Sequence, residues 1–190
     1  MIATWPMRKL QKLHHETMKV YRLVAHSGAR GACEARTSSG FTVKTDLPRS
    51  MGGANSGPEP VEVMLAALVA CKTSTAHFIA RHMWSRPHNR ISSIEWTDVQ
   101  GFRDASIPLA LPIDHKPPVT PGLLRISGVA SVTPSEDAIK AGTISEEDVV
   151  RLGELVEQRC PLAAMVLASG CELQIKWQLT DHNIQQVWPG

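Results

Sequence analysis

The longest apolar segment of the chain begins at Pro60 and predicts a helix over residues 60–84. Neither proline nor glycine occurs between positions 61 and 83, and alanine, leucine and methionine are frequent there. These residues favour a helix, and proline is tolerated at the first helical position because the N–H that it lacks would have no helical partner. The first half of the segment, VEVMLAALVAC, is apolar on nearly every side except at Glu62. We therefore expect a long central helix that protein covers around most of its circumference.

Short β-strand patterns precede this helix. They mix β-branched and aromatic side chains, and turn residues bound them. Ser38-Ser39-Gly40 separates the second pattern from the third, and glycine supplies the positive φ that a hairpin turn requires. The predicted strands cover residues 18–26, 31–36 and 41–46. They form an N-terminal antiparallel meander over 18–47, and a loop rich in glycine and proline follows over 48–60.

Strands and helices also alternate irregularly after the central helix. Ser145 followed by three acidic residues predicts a capped helix that runs to about Arg159, and Pro161 starts a short helix that ends before Gly170. A proline-rich stretch over 108–121 is irregular. Further strands are predicted at residues 91–100, 123–133 and 171–179. The order of elements indicates an α+β fold, since it lacks the regular alternation of a parallel-sheet protein.

Composition excludes several classes of protein. The chain has 190 residues, 43% of them hydrophobic, four cysteines and a formal net charge of +2. Four cysteines without a CxxC pair do not make a disulfide scaffold, and a charge so near zero gives little attraction to nucleic acid or an anionic membrane. No unbroken apolar run approaches the roughly 18 residues of a membrane span. We expect a single domain over 18–190, with no nucleic-acid or membrane partner.

The first 17 residues form a basic arm that includes Arg8, Lys9 and Lys12. This arm is either a solvated surface segment or the remnant of a mitochondrial targeting sequence. We expect a cytoplasmic protein, with the mitochondrion as the alternative. An adaptor that binds nucleic acid or membrane through residues 1–17 is a further alternative.

The cysteines differ in their surroundings. Cys71 ends the apolar half of the central helix, where it is either a small core residue or a reactive thiol. Cys160 caps the short helix that starts at Pro161, and a helix N-terminus favours a thiolate, although a plain capping role remains open. Cys33 and Cys171 have no motif around them and are interpreted as packing residues. No histidine spacing predicts a metal site.

Three segments together resemble the OsmC/Ohr family, the osmotically inducible and organic hydroperoxide resistance proteins. The segment GPEPVEVMLAALVAC over 57–71 resembles the family's central-helix pattern, which ends on the peroxidatic cysteine. Cys160-Pro161 with its small-residue helix resembles the segment of the second cysteine. TVKTDLPRSMGG over 42–53 resembles the preceding strand and loop. The resemblance covers roughly residues 18–180.

The resemblance implies the fold and the site. The family fold has antiparallel sheets around a long central helix that carries Cys71, a C-terminal part over 91–190 that carries Cys160, and an intertwined homodimer. Its catalytic residues map onto Cys71, Cys160 and Arg30, with Arg36 as the alternative arginine. The family's glutamate position holds Val61 here, so Glu62 is the nearest candidate, although a shift of one residue rotates a helical side chain by about 100°.

The activity implied is a thiol-dependent peroxidase that reduces organic hydroperoxides without a bound cofactor or metal. Cys71 attacks the peroxide, Cys160 resolves the sulfenic acid as a disulfide, and an external dithiol such as dihydrolipoamide restores both thiols. Apolar side chains of the central helix favour bulky organic hydroperoxides as substrates: Met64, Leu68, Val69 and Phe78. The alternative function is a non-catalytic dimer that binds an apolar or acyl ligand in the same cleft.

Overall fold

The structure is a computed structural model that describes residues 19–84, 91–109 and 111–180. The chain divides into two compact units, Met1–Pro60 and Val61–Gly190, and each is described by itself. The predicted basic arm over residues 1–17 lies outside the described residues. The boundary that we expect at residue 18 therefore stays a prediction.

The first unit contains an antiparallel three-stranded sheet in the order β1-β2-β3. Its strands are β1 (Leu23–Ser27), β2 (Cys33–Thr37) and β3 (Thr42–Thr45). The turn between β2 and β3 is closed by Gly40, whose φ of 91° lies in the region that favours glycine. The predicted meander is confirmed, although β1 begins later than the sequence pattern suggested.

The loop after β3 is organised by the buried carboxylate of Asp46. This carboxylate accepts hydrogen bonds from the backbone N–H groups of Leu47, Ala54 and Ser56 and from the Ser56 hydroxyl. The bonds from Ser56 are the largest cause that lowers the pKa of Asp46 from 3.8 to about 2. Gly53 is required in the same loop, because a Cβ there would overlap the Leu47 carbonyl oxygen. The predicted loop is therefore an ordered structure.

The predicted central helix is α1 (Pro60–Met83), which begins at the expected proline. Its buried side chains repeat every three or four residues and therefore lie on one face. They are Leu68, Lys72, Ala76, Ile79 and Ala80. Met64 and Phe78, by contrast, are exposed. The expectation of cover around most of the circumference is wrong within this chain, because only one face of α1 packs into the core.

By length and composition alone, α1 is also apolar enough to cross a membrane. The core helix of a protein without a membrane span has the same length and hydropathy, so this profile does not identify a membrane span.

The buried face of α1 contacts the rest of the second unit. Trp96 donates a hydrogen bond of 2.9 Å from its indole nitrogen to the hydroxyl of Thr73, and Lys72 on the same helix is paired with Glu157.

The sheet of the second unit has the order β4-β5-β6. Its strands are β4 (Ile91–Phe102), β5 (Arg125–Pro134) and β6 (Glu172–Leu179). The α+β class is confirmed. β4 and β5 are antiparallel as expected, but β5 and β6 are parallel. The expectation of antiparallel sheets is therefore wrong for this pair, because the helices between these strands return the chain to the same end of the sheet.

Those helices are α2 (Glu136–Ala141), α3 (Glu146–Arg159) and α4 (Pro161–Ala168). The predicted cap of α3 is confirmed: Ser145 and Asp148 form a reciprocal capping box. The sequence analysis missed α2, which is only six residues long. The described residues of the proline-rich segment between β4 and β5 form only short turns and irregular structure, as expected.

α3 approaches β6 closely at Gly153. Gly153 is buried, and a Cβ at this position would lie 2.5 Å from Cγ of Trp177. The Trp177 ring in turn packs edge-on against Trp96 at 5.5 Å between centroids. The absence of a side chain at position 153 thus sets the distance between α3 and the sheet.

Gly153→Ala should therefore destabilise the protein. Overpacking of a core costs about 1–3 kcal/mol, which exceeds the gain of roughly 1 kcal/mol that alanine brings to a helix. Chemical denaturation measures the change, and Gln158→Ala on the exposed side of α3 is the control that should be neutral. A Gly153→Ala variant as stable as the wild type would show that this contact does not limit the packing of α3.

Candidate active site

Cys71 lies near the middle of α1 and is half-buried. The hydroxyl of Thr75 donates a 2.8 Å hydrogen bond to the Cys71 carbonyl oxygen, one turn along the helix. Cys71 is therefore held on regular, internally bonded helix, and its thiol is free.

Cys160 occupies the bend between two helices and is fully buried. It ends α3, where its N–H donates to the Val156 carbonyl at 2.8 Å, and it also caps α4. Its sulfur accepts a long hydrogen bond of 3.5 Å from the N–H of Ala163. Pro161 at the first position of α4 stops α3 from continuing, since it cannot donate a helical hydrogen bond. The predicted capping position of Cys160 is confirmed.

The fold brings the two thiols together. The side chains of Cys71 and Cys160 are close enough to influence each other electrostatically, and neither cysteine is in a disulfide. The pKa of Cys160 is raised, chiefly by burial and further by the neighbouring Cys71 side chain. The hydrogen bond from the N–H of Ala163 lowers the pKa of Cys160, but by less than burial raises it. We expected the helix N-terminus to favour a Cys160 thiolate; burial outweighs that effect, and Cys160 is a protonated thiol.

The site also contains a buried ion pair that the sequence analysis missed. The ammonium group of Lys72 contacts the carboxylate of Glu157, and the Lys72 side chain is 1% exposed. A signal was present: Lys72 lies four residues from both Leu68 and Ala76 and so belongs to the buried stripe of α1. The sequence around its partner, Glu157 on α3, contains no pattern that predicts the pairing.

Arg30 lies in the first unit, in the turn between β1 and β2. Its backbone is left-handed, with φ 59° and ψ 27°, and the residue is exposed. This conformation is uncommon for a residue other than glycine, and such residues cluster at functional sites. Arg36, the alternative arginine, lies on β2 opposite Val24 and Thr42.

Glu62 lies in the first turn of α1 and is exposed. It precedes Cys71 by nine residues, which corresponds to about 13 Å along the helix axis and roughly half a turn around it. Glu62 and Cys71 therefore do not share a face of α1. The suggested role of Glu62 as the partner of an arginine stays a prediction.

An apolar cavity of about 340 Å³ lies beside the later turns of α1 and the end of α3. Its lining residues are Phe78, Ile79, His82, Met83, Leu155 and Arg159. Phe78 follows Cys71 by two helical turns on nearly the same face of α1, and Arg159 precedes Cys160. Of the apolar residues that we expected to select substrates, Leu68 belongs instead to the hydrophobic core.

The remaining cysteines are Cys33 of the first unit and Cys171 of the second. Cys33 is half-buried on β2, and Cys171 is buried just before β6, where its thiol contacts the Glu172 carbonyl oxygen and burial raises its pKa. Within residues 19–84, 91–109 and 111–180, no group of three or more histidine, cysteine or acidic side chains is arranged to hold a metal ion.

Comparison with known proteins identifies the family. Residues 53–176 match the family described as OsmC-like protein, which is more than half of the chain. The chain therefore belongs to the OsmC-like protein family. No curated protein sequence matches it.

Solved structures share the fold. An OsmC-like protein from Mycoplasma pneumoniae is 20% identical with a TM-score of 0.64, over 86% of this chain and 99% of that one. An organic hydroperoxide resistance protein from Legionella pneumophila is 13% identical with a TM-score of 0.56, over 86% and 98%. The organic hydroperoxide resistance protein OhrB of Bacillus subtilis is 16% identical with a TM-score of 0.52, over 85% and 98%.

The raised pKa of Cys160 predicts how its thiol reacts with alkylating reagents. The midpoint of the pH dependence of Cys160 alkylation should lie above the ordinary cysteine value, and it should fall in Cys71→Ala because one cause of the rise is removed. Mass spectrometry of peptides after iodoacetamide treatment across a pH series measures each cysteine separately. Cys171 is the internal control, whose midpoint should not change. A Cys160 midpoint that is ordinary or that does not respond to Cys71→Ala would contradict the described contact.

Proposed function

We propose that this protein is a thiol-dependent peroxidase that reduces organic hydroperoxides to alcohols in oxidative-stress defence. The observation that carries the proposal is the proximity of the free thiols of Cys71 and Cys160, which lets Cys71 act on the pKa of Cys160. Two neighbouring thiols can exchange between a dithiol and a disulfide. Family membership supports the same chemistry, because relatives of this fold are named organic hydroperoxide resistance proteins.

In the first step the Cys71 thiolate attacks one oxygen of the hydroperoxide. The O–O bond breaks, the sulfur becomes a sulfenic acid, and the alkoxide leaves with a proton as an alcohol. Arg30 provides the positive charge that favours the thiolate and holds the peroxide, a role that its left-handed, exposed backbone position supports. Glu62 orients Arg30.

In the second step Cys160 gives up its proton and its sulfur attacks the sulfenic sulfur. A Cys71–Cys160 disulfide forms, and the sulfenic oxygen leaves as water with the Cys160 proton. The raised pKa of Cys160 lowers its thiolate fraction, so its sulfur becomes nucleophilic only as its proton passes to the leaving oxygen. Its burial protects it from direct oxidation by bulky peroxides, and its proton is available to the leaving oxygen.

The cycle closes when an external dithiol, such as dihydrolipoamide, reduces the disulfide by thiol exchange. Two electrons pass from the dithiol to the protein, and the dithiol becomes a cyclic disulfide. The reaction needs no bound cofactor or metal.

The apolar cavity next to Arg159 supports organic hydroperoxides as substrates. It offers about 340 Å³ of space between α1 and α3, which suits the hydrocarbon part of a substrate. The exposed apolar side chains of Met64 and Phe78 on α1 support the homodimer that we propose, because a second protomer would cover them. We assign the protein to the cytoplasm, with the mitochondrion as the alternative.

Stopped-flow mixing with cumene hydroperoxide tests the activity. The wild-type protein should turn over repeatedly when dihydrolipoamide is supplied. Cys71→Ser should fall to the uncatalysed background because the nucleophile is lost. Cys160→Ser should consume about one equivalent and then stop, since its sulfenic acid has no resolving thiol.

Cys33→Ser is the matched control, because Cys33 is a half-buried thiol of the other unit and should leave the rate unchanged. Peroxide consumption that persists in Cys71→Ser would contradict the proposal. An unreactive wild-type protein that binds an apolar or acyl ligand would favour the alternative function, a non-catalytic ligand-binding dimer.

A further inference from the structure

The buried ion pair between Lys72 and Glu157 has no role in the chemistry above. Lys72 is completely buried, and 29% of the Glu157 side chain is exposed. Exposed pairs such as Arg151–Glu154 on the same helix are screened by water, whereas a buried ammonium group has no substitute for its carboxylate partner.

The ion pair and the two thiols connect the same short segments of α1 and α3. Lys72 directly follows Cys71 on α1, and Glu157 precedes Cys160 by three residues, which is one helical turn. Both contacts therefore connect the middle of α1 with the C-terminal turn of α3. Any sliding of α3 that separates the sulfur atoms would also separate the two charges.

The second carboxylate oxygen of Glu157 limits the positions that the Glu157 side chain can take. That oxygen, Oε2, is buried and has no hydrogen-bond partner within the described part of the chain. The carboxylate therefore depends on Lys72, which contacts Oε1. Removing Glu157 would leave the Lys72 charge unpaired in the apolar core, which is strongly unfavourable, and removing Lys72 would leave the partly exposed Glu157 carboxylate without its partner.

We infer that the Lys72–Glu157 ion pair positions Cys160 against Cys71 and so sets how readily the two sulfur atoms form a disulfide. Lys72 and Glu157 are positioning residues, since they act through the placement of α3 and touch no substrate. The inference rests on the proposed redox role of the two cysteines. Its measurable consequence is the equilibrium between the dithiol and the disulfide in the folded protein.

A reduction potential isolates positioning from general stability. It measures the difference in free energy between the folded disulfide and the folded dithiol. A substitution that destabilises both folded states equally therefore leaves the potential unchanged. A substitution that changes the distance or the mobility of the two sulfur atoms does change the potential, because it alters their effective concentration.

The experiment equilibrates the full chain in dithiothreitol redox buffers and counts Cys71–Cys160 disulfide by mass spectrometry after acid quenching. Glu157→Gln and Lys72→Met should each lower the equilibrium constant for disulfide formation by about tenfold or more, which is a shift of about 30 mV for a two-electron couple. Glu154→Gln removes an exposed ion pair from the same helix and is the control that should not change the potential.

Lys72→Met/Glu157→Leu covers the case in which the single variants fail to fold. It replaces both charges with apolar groups and leaves no unpaired charge. Because apolar contact is not directional, it should fold and still show a lower equilibrium constant than the wild type. A wild-type potential in this double variant, or in folded single variants, overturns the inference while the proposed function stands. A wild-type protein that forms no Cys71–Cys160 disulfide overturns both.

Discussion

Lys72 places a positive charge on the otherwise apolar buried face of α1, and the packing of α1 against α3 depends on how that charge is neutralised. The carboxylate of Glu157 neutralises it from α3. Separating one partner from a buried ion pair typically costs about 3–5 kcal/mol, against at most about 1 kcal/mol for an exposed pair. The crossing of the two helices is therefore defined by a directional contact, and the two thiols lie beside it.

Two opposing effects act on the pKa of Cys160. The N-terminus of α4 offers the sulfur an N–H group at 3.5 Å, which favours the thiolate. Complete burial removes the water that would solvate the charge, and the neighbouring Cys71 adds a second unfavourable influence. The thiol form therefore prevails at Cys160. Cys71 is half-buried and is therefore the less buried of the two cysteines.

Local signals in the sequence predicted the elements that local interactions form. Pro60, the acidic turn after Ser145 and Gly40 each act within a few residues, and their helix start, helix cap and hairpin turn were confirmed. The parallel pairing of β6 with β5 was not predicted, because it depends on how three helices cross the sheet. Which face of α1 is buried was also missed, since small apolar residues lie on both faces and hydropathy does not separate them.

The candidate site was predictable to a similar extent. The two cysteines could be singled out because each stands at a recognisable position on a helix, and their contact followed from the family resemblance. The ion pair could not be found in the same way, since a lysine is usually exposed and Glu157 lies 85 residues further along the chain. The pKa of Cys160 depends on burial, which a sequence pattern shows only for regular amphipathic elements.

The central claim is that α1 and the bend between α3 and α4 hold Cys71 and Cys160 as a redox pair. The most direct test treats the reduced wild-type protein with one equivalent of cumene hydroperoxide and maps its cysteines by peptide mass spectrometry. The account predicts a Cys71–Cys160 disulfide, with Cys33 and Cys171 recovered as free thiols. A sulfinic acid at Cys71 beside an unchanged Cys160, or a disulfide that joins other cysteines, would contradict it.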